Sequence, residues 1–274
     1  MVKYVNSKNE EIELTGSYLR LKETSFADYE WNYELVARKV GAMVSRFSKK
    51  EKVYGLNLTV PGNEQQKREK LERFYRVTEY DVVSKTPGRL YVNDEYINCF
   101  VFASITMPKR FYCEKEIKVL CPYPFWISEK KLSFGKYNGS GSNNFLNYPY
   151  NYPYNYTGIN KGFSQINNEH YYPAHFRMTI YGPCVNPMII IGGHTYIVNT
   201  IVGENEYLEI DSRNRTVIKT LIDGTKVNEF NNRGFESETF KKIPPGVSPV
   251  NWSGEYGFDI VLFYERSEPK WTQK

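Results

Sequence analysis

The sequence has few of the residue types from which metal, disulfide and histidine-based catalytic sites are built. Its 274 residues include four cysteines and three histidines. The cysteines form no C-x-x-C pair, which excludes a disulfide scaffold and a common zinc site. We expect reduced, mostly buried thiols, with a cross-strand bridge to Cys99 as the open alternative. The histidines, which we interpret as surface residues, are His170, His175 and His194.

Catalytic signatures are also missing. The sequence has no G-x-S-x-G, H-E-x-x-H, P-loop or G-x-G-x-x-G motif, so it predicts no catalytic residue, no cofactor and no metal. Glu204 with Glu206 and Glu236 with Glu238 are paired carboxylates. Two residues apart on a strand, they would be about 6.6 to 6.8 Å apart, which suits a glycosidase. Charged edge strands that block unwanted pairing explain them better.

Long apolar runs are absent, and charge of either sign is not concentrated. No stretch approaches the roughly 18 apolar residues of a membrane span, and the first residues are too polar for a signal peptide. We therefore expect neither a membrane protein nor secretion by the standard route. Lysine and arginine number 36 against 31 acidic residues, for a net charge of +5. Their alternation favours a solvated mixed-charge surface over a nucleic-acid-binding one.

Aromatic residues are abundant, with 24 Tyr and 16 Phe, and tyrosine suits strands and interfaces. Short alternating or β-branched segments, bounded by Gly, Pro, Asn or Asp, predict a mainly β protein. Apolar residues repeat at three and four positions from about Asn63 to Thr78, which predicts one helix packed on a sheet. Periodicity leaves residues 30–47 undecided between helix and strand.

Residues 137–168 differ from the rest, with nine Asn, six Tyr and Lys161 as the only charge. Proline at 149 and 153 disfavours a regular strand or helix there. Two interpretations stay open: an excursion that packs its tyrosines on a neighbour, or a mobile tether. We predict domains at 1–130 and 171–274, joined by a linker or long loop at 131–170. The candidate partner-contact residues are Tyr148, Tyr150, Tyr152, Tyr154 and Tyr156.

The segment FKKIPPGVSPVNWSGEYGFDIVLFYERSEPKW, residues 240–271, carries the most specific pattern. Pro244 and Pro245 end one strand, and Gly246 suits the positive φ of a type II turn. This segment resembles the closing segment of the phage distal tail protein (Dit) family. SYLRLKE, VSRFSKKEKVYGLNLTVPG, EYDVVSKTPGRLYV and CPYPFW resemble its first half. The matching C-terminal residues are Pro244, Pro245, Gly246, Trp252, Gly254, Glu265, Arg266, Ser267, Glu268, Pro269 and Trp271.

This resemblance implies a fold and a mechanical, non-enzymatic function. The implied fold is an N-terminal β-sandwich with one helix and a hairpin, which forms a ring, followed by a C-terminal galectin-like β-sandwich. The implied function is a homohexameric ring in the virion, at the tail tip or baseplate, assembled in the host cytoplasm. Its implied partners are the tail tube, the tape measure, the baseplate hub or tail-associated lysin, and a receptor-binding or fibre protein. DNA only passes through the channel.

The ring would close through heterologous contacts between unlike surfaces of neighbouring copies. Candidate surfaces are the helix near Lys67 to Phe74 and the strand from Tyr96 to Met107, although both also suit a role in covering the core. A carbohydrate-binding β-sandwich that recognises host cell-wall polymers is the alternative function. Against it, CVNPM offers Asn186 and Pro187 without the H-N-P-R pattern of sugar-binding galectins. The candidate interface residues are Lys67, Lys70, Leu71, Phe74, Tyr96, Phe100 and Phe102.

Overall fold

The computed structural model describes residues 1–22, 26–136 and 163–270. Contacts divide the chain into two compact units. The first unit comprises Met1–Ser128 with residues 265–270, and the second comprises the described part of Glu129–Tyr264. Strands dominate both units, and the described residues hold one α-helix. The prediction of a mainly β protein with one helix is confirmed.

The first unit is built on two antiparallel sheets that share one long strand. The elements are β1 (Val2–Val5), β2 (Glu11–Glu13), β3 (Arg20–Leu21), β4 (Asn32–Ala37), β5 (Ala42–Ser48), β6 (Lys52–Pro61), α1 (Glu64–Ser84), β7 (Gly88–Val92), β8 (Glu95–Pro108) and β9 (Tyr112–Cys121). A further strand, β10 (Trp126–Phe134), begins in the first unit and ends in the second. The strand orders in the first unit are β2–β1–β7–β8 and β3–β6–β9–β8. The strand β8 pairs with β7 through its first residues and with β9 through its last, with a bulge between Val101 and Ala103.

Alternation along the strands creates the core of this unit. In β6, every second side chain from Tyr54 to Val60 is buried, because successive residues of a strand face opposite sides of the sheet. Phe74 and Val77 of α1 complete the core, with Leu71 and Tyr75 packed at its edge. The helix therefore covers the sheet, as its periodicity predicted.

Helix α1 begins as predicted but ends later than predicted. Asn63 is its N-cap, and Asn63 and Gln66 form a reciprocal capping box. The helix continues six residues beyond Thr78, the predicted end. The extra turns are held by Asp81, whose buried carboxylate accepts hydrogen bonds from the Tyr4 hydroxyl at 2.5 Å and from the backbone and side chain of Ser7. This long-range support has no local sequence signal.

The second unit is a sandwich of two antiparallel sheets whose buried faces form a single core. Its strands are β11 (Phe163–Asn168), β12 (His175–Tyr181), β13 (Cys184–Val185), β14 (Met188–Ile191), β15 (His194–Ile197), β16 (Ile201–Val202), β17 (Tyr207–Asp211), β18 (Thr216–Thr220), β19 (Lys226–Asn228), β20 (Gly246–Trp252) and β21 (Phe258–Arg266). One sheet has the order β19–β18–β17–β12–β21, the other has the order β11–β20–β14–β15, and β13 pairs with β16. A short 3-10 helix spans Phe230–Asn232.

The observed boundaries differ from the predicted domain division in two places. Within the predicted linker of 131–170, β10 continues to Phe134 and β11 occupies Phe163–Asn168. The contacts also place residues 265–270 with the first unit rather than the second. At the start of β20, Gly246 has φ +86°, the backbone conformation expected from Pro244, Pro245 and the turn that follows them.

Candidate assembly surfaces

Residues 30–47, which periodicity left undecided, form most of a two-stranded hairpin of β4 and β5. Tyr33 pairs with Phe47, and Leu35 pairs with Val44. Neighbouring residues of a strand face opposite sides, yet both faces of this hairpin are exposed to solvent. Its exposed apolar side chains are Tyr33, Leu35, Val36, Val40, Met43, Val44 and Phe47. The hairpin therefore presents apolar side chains on two faces that no part of its own unit covers.

The turn of this hairpin depends on one glycine. Gly41 has φ +72°, a conformation that favours glycine, and its carbonyl accepts a 3.0 Å hydrogen bond from the Arg38 amide. Val40, in the turn, is 88% exposed. The turn is thus narrow, and it presents the basic Arg38 and the apolar Val40 close to each other in the sequence.

An aromatic cluster fixes the base of the hairpin. The Lys49 ammonium lies 4.7 Å from the ring centroid of Phe125, 5.1 Å from that of Trp31 and 5.3 Å from that of Tyr29. It also donates a 3.4 Å hydrogen bond to the Pro124 carbonyl. Burial, together with the nearby Lys52 charge, lowers the pKa of Lys49 to about 8. The hairpin therefore leaves the first unit from an anchored base.

A groove runs between α1 and β8, in two cavities of about 560 and 440 Å³ that share Tyr75. Leu71 and Pro108 line the first cavity, and Val82 and Phe102 line the second. Phe102 is 49% exposed. Helix and strand thus leave a cleft along their junction that is open to solvent, with an apolar interior and charged residues of α1 among its lining.

A buried positive charge lies next to the side chains that line this groove. Lys115 of β9 is 1% exposed, and its ammonium donates hydrogen bonds to the hydroxyls of Ser104 (2.5 Å), Tyr75 (3.0 Å) and Thr106 (3.2 Å). The ring of Phe74 lies 4.9 Å from the same ammonium. Hydrogen bonding to Thr106, then to Lys115, lowers the pKa of Tyr75. We call Lys115 and its three hydroxyl partners the hydroxyl cage.

Lys115 was missed by the sequence analysis, although a signal for it exists. Buried and less buried residues alternate along β9, and Cys113, Lys115, Ile117, Val119 and Cys121 share the buried face. A lysine in the register of four apolar residues therefore marks a buried ammonium. All four cysteines of the chain are free thiols, three of them buried.

The predicted interface residues separate into core and surface. Phe74 and Tyr96 are buried, so they chiefly stabilise the first unit, while Phe100 is half-buried. Leu71, Lys67 and Phe102 line the groove. Lys70 folds back to donate a 2.9 Å hydrogen bond to the Pro61 carbonyl. Their participation in an interface stays a prediction.

The remaining predicted residues divide between the two units. Trp252 is buried in the second unit and donates a 3.0 Å hydrogen bond to the Tyr256 carbonyl, and Gly254 has φ +78°. Glu265 and Pro269 are buried in the first unit, beside the half-buried Arg266, Ser267 and Glu268. The candidate partner-contact tyrosines and Trp271 lie outside the described residues, and they are Tyr148, Tyr150, Tyr152, Tyr154, Tyr156 and Trp271.

One carboxylate of each predicted pair in the second unit has a structural partner. Glu206 accepts a 2.7 Å hydrogen bond from the Gly203 amide, and Glu238 forms a 3.0 Å ion pair with Arg215. In the described ranges, no group of three metal-ligating side chains lies together. Nor does any helix in those ranges have the length and apolar character of a bilayer span.

The surface interpretation of the histidines is wrong for His170, which is 7% exposed and stacks on the ring of Tyr264. Its position between aromatic residues explains the burial. His175 is half-buried, and its Nδ1 lies 3.1 Å from the Ser212 hydroxyl. Burial, assisted by Lys242 and Arg213, lowers the pKa of His175 to about 4.

Comparison with solved structures identifies the fold. The crystal structure of Dit (gp 19.1) of phage SPP1 aligns with a TM-score of 0.61 at 10% identity, over 97% of this chain and 99% of that one. That protein is described as a paradigm of the hub adsorption apparatus in phages that infect Gram-positive bacteria. This chain has the Dit fold.

Two further structures agree. A chain of the phage P2 baseplate, in its activated conformation with Ca, aligns with a TM-score of 0.65 at 13% identity, over 98% of this chain and 100% of that one. The same values hold for the activated baseplate with Sr. No protein-family model and no curated protein matches the chain. The Dit resemblance drawn from the sequence is thus confirmed at the level of the fold.

Proposed function

We propose that this chain is a structural component of a phage tail tip, which self-associates through its first unit into a closed ring. The observation that carries this proposal is the β4–β5 hairpin, which exposes apolar side chains on both faces. Large exposed apolar surfaces mark interaction sites. In a chain with the Dit fold, a second copy is the partner that this surface fits best.

The two surfaces of the first unit differ in shape, as ring closure requires. The hairpin projects, with Leu35 about half exposed, whereas the groove between α1 and β8 is concave. A contact between unlike patches is heterologous, and it produces a ring when the rotation between copies closes. Each copy would then insert its hairpin against the next copy and receive another hairpin in turn.

In this proposal the ring is a hexamer that joins the tail tube to the baseplate hub. Its channel passes the tape measure and then DNA, and its outer surface anchors a receptor-binding or fibre protein. The chain acts by position rather than by catalysis. The residues most directly involved in ring closure are those of the hairpin and of the groove.

The test is the mass of the purified full chain in solution, measured by light scattering over a concentration series, with negative-stain imaging. We expect a ring of six 32.2 kDa copies with an open centre. Leu35→Asp with Phe47→Asp should abolish the ring, because two carboxylates would be desolvated in the contact. Ile222→Asp with Phe235→Asp, which charges two exposed apolar residues of the second unit, is the matched control.

The control variant should assemble like the parent. Equal loss in both variants would point to non-specific aggregation rather than to a hairpin contact. A parent that stays monomeric at every concentration, alone and with the tail tube protein, would contradict ring closure. Assembly of the hairpin variant at the parent's concentration would show that another surface carries the contact.

A further inference from the structure

The Lys115 ammonium is buried without a compensating charge. Among the described residues, its polar partners are three neutral hydroxyls, and no carboxylate forms an ion pair with it. Removing an ammonium from water is costly unless an opposite charge or hydrogen bonds compensate it. The hydroxyls and the adjacent aromatic rings offset part of this cost. The groove therefore lies above a cation that still gains from a nearby negative charge.

The hydrogen-bond inventory of the hydroxyl cage shows where that charge fits. An ammonium only donates, so Ser104, Tyr75 and Thr106 must each accept from Lys115 and direct their own protons elsewhere. Tyr75 and Thr106 are 3.1 Å apart, which uses one of these three protons. The Ser104 hydroxyl is also hydrogen-bonded to Tyr75, which uses a second proton, so one hydroxyl proton remains. All three hydroxyls belong to side chains that line the groove.

A hydroxyl proton beside a buried ammonium can be donated to an oxyanion. Hydrogen bonds to a charged acceptor are about twice as strong as neutral ones, and the ammonium polarises the hydroxyls that donate them. Leu71, Phe102 and Pro108 form the apolar part of the walls, and charged residues of α1 also line the groove, namely Glu64, Lys67, Arg68, Glu72 and Glu79. The ligand that matches the buried ammonium is a carboxylate on a largely apolar segment.

We propose that the hydroxyl cage receives the carboxylate of Glu34 from a neighbouring copy of the chain. Glu34 is exposed on β4 and shares a strand face with Val36, which pairs with Met43. Arg46 lies directly opposite Glu34 across the hairpin. Glu34 is the one acidic residue from Asn32 to Ser48, so it is the hairpin side chain that can offer a negative charge to the Lys115 ammonium. This inference rests on the proposed ring closure and names the residues that meet in it.

Disulfide trapping tests the contact directly. Full-length Glu34→Cys and Ser104→Cys variants are prepared separately, mixed and oxidised mildly. The two thiols lose two protons and two electrons to the added oxidant, and one S–S bond forms between copies. We expect a covalent dimer from the mixture, well above the yield from either variant alone. Glu30→Cys mixed with Ser104→Cys, with the exposed cysteine just before β4, is the matched control.

A double-mutant cycle tests the energetics. We expect Glu34→Gln and Lys115→Met each to raise the dissociation constant of self-association at least tenfold, and the double variant to add little, because both remove the same interaction. Glu30→Gln should leave the constant within about twofold. Circular dichroism and thermal unfolding of Lys115→Met check that its fold is intact, and Glu34→Gln, on an exposed strand, keeps the test independent of that check.

The outcomes separate this inference from the ring itself. Assembly that Glu34→Gln does not weaken, with no 34–104 crosslink, would overturn the Glu34 contact while the ring stands. A chain that neither assembles nor crosslinks would overturn both. Additive losses in the double variant would show that Glu34 and Lys115 contribute to assembly at separate places, which also contradicts the pairing.

Discussion

The hairpins β17–β18 and β4–β5 have similar strand lengths, but the first buries apolar side chains and the second exposes them to solvent. In β17–β18 the strands alternate, and Leu208, Ile210 and Val217 are buried in the core of the second unit. In β4–β5 every residue from Tyr33 to Phe47 is exposed, although the apolar content is just as high. The apolar residues of β17–β18 thus stabilise the fold of the second unit. Those of β4–β5 are exposed and can contact a partner.

The first prediction compares what one leucine of each hairpin contributes to the free energy of unfolding. Leu208→Ala should lower the free energy of unfolding by about 2 to 5 kcal/mol, because Leu208 is fully buried. Leu35→Ala should change it by less than about 0.5 kcal/mol, because Leu35 is 55% exposed. Denaturant unfolding of both variants, at a concentration where the chain is monomeric, measures the difference. A large loss in Leu35→Ala would show that the hairpin packs on its own unit.

This contrast also explains how far the sequence could predict the structure. Where a strand has one buried face, as in β6, the alternation from Tyr54 to Val60 is readable, and so is the helix that covers it. Residues 30–47 have no buried face, so no periodicity marks them. The groove arises from elements distant in sequence, and only Lys115, in the register of buried residues, signals it locally.

The second prediction concerns the loss of stability of the second unit at acidic pH. His175 lies on β12, which pairs with β17, and its pKa of about 4 is below the ordinary value of 6.5. Its contribution to stability is therefore complete above pH 6.5 and is lost as pH falls toward 4. Because the His175 imidazole is half-buried, protonation should lower the free energy of unfolding by about 2 kcal/mol at most. His175→Gln should remove this part of the pH dependence in urea unfolding curves. An unchanged acid slope would contradict the assignment.

The third prediction addresses the base of β4–β5, where stability again rises with pH but over a more alkaline range. Lys49 has a pKa of about 8, below its ordinary value of 10.5, so the folded state resists its protonation. Stability should rise between pH 8 and 10.5, by less than for a fully buried amine. Lys49→Met should flatten that rise, and Lys50→Met, at an exposed neighbour, is the control. A rise that persists in Lys49→Met would assign it to another group.

The smallest effect concerns the turn of the exposed hairpin. An Ala at Gly41 meets no atom within 4 Å, so only its positive φ opposes the change, at about 1 kcal/mol. Because the hairpin has no core of its own, this strain should increase local opening rather than global unfolding. Amide hydrogen exchange should be faster from Asn32 to Ser48, with an unchanged thermal midpoint. A lower midpoint would mean that the hairpin unfolds together with its unit.

The order of the two units along the chain has a consequence for synthesis. The buried Glu95 carboxylate accepts a 2.7 Å hydrogen bond from the Lys270 amide, so residues 265–270 complete a unit that otherwise consists of residues before 129. Those residues leave the ribosome after the whole second unit has been made. The second unit can therefore finish folding while the first still lacks a piece, the reverse of the usual N-terminal-first order.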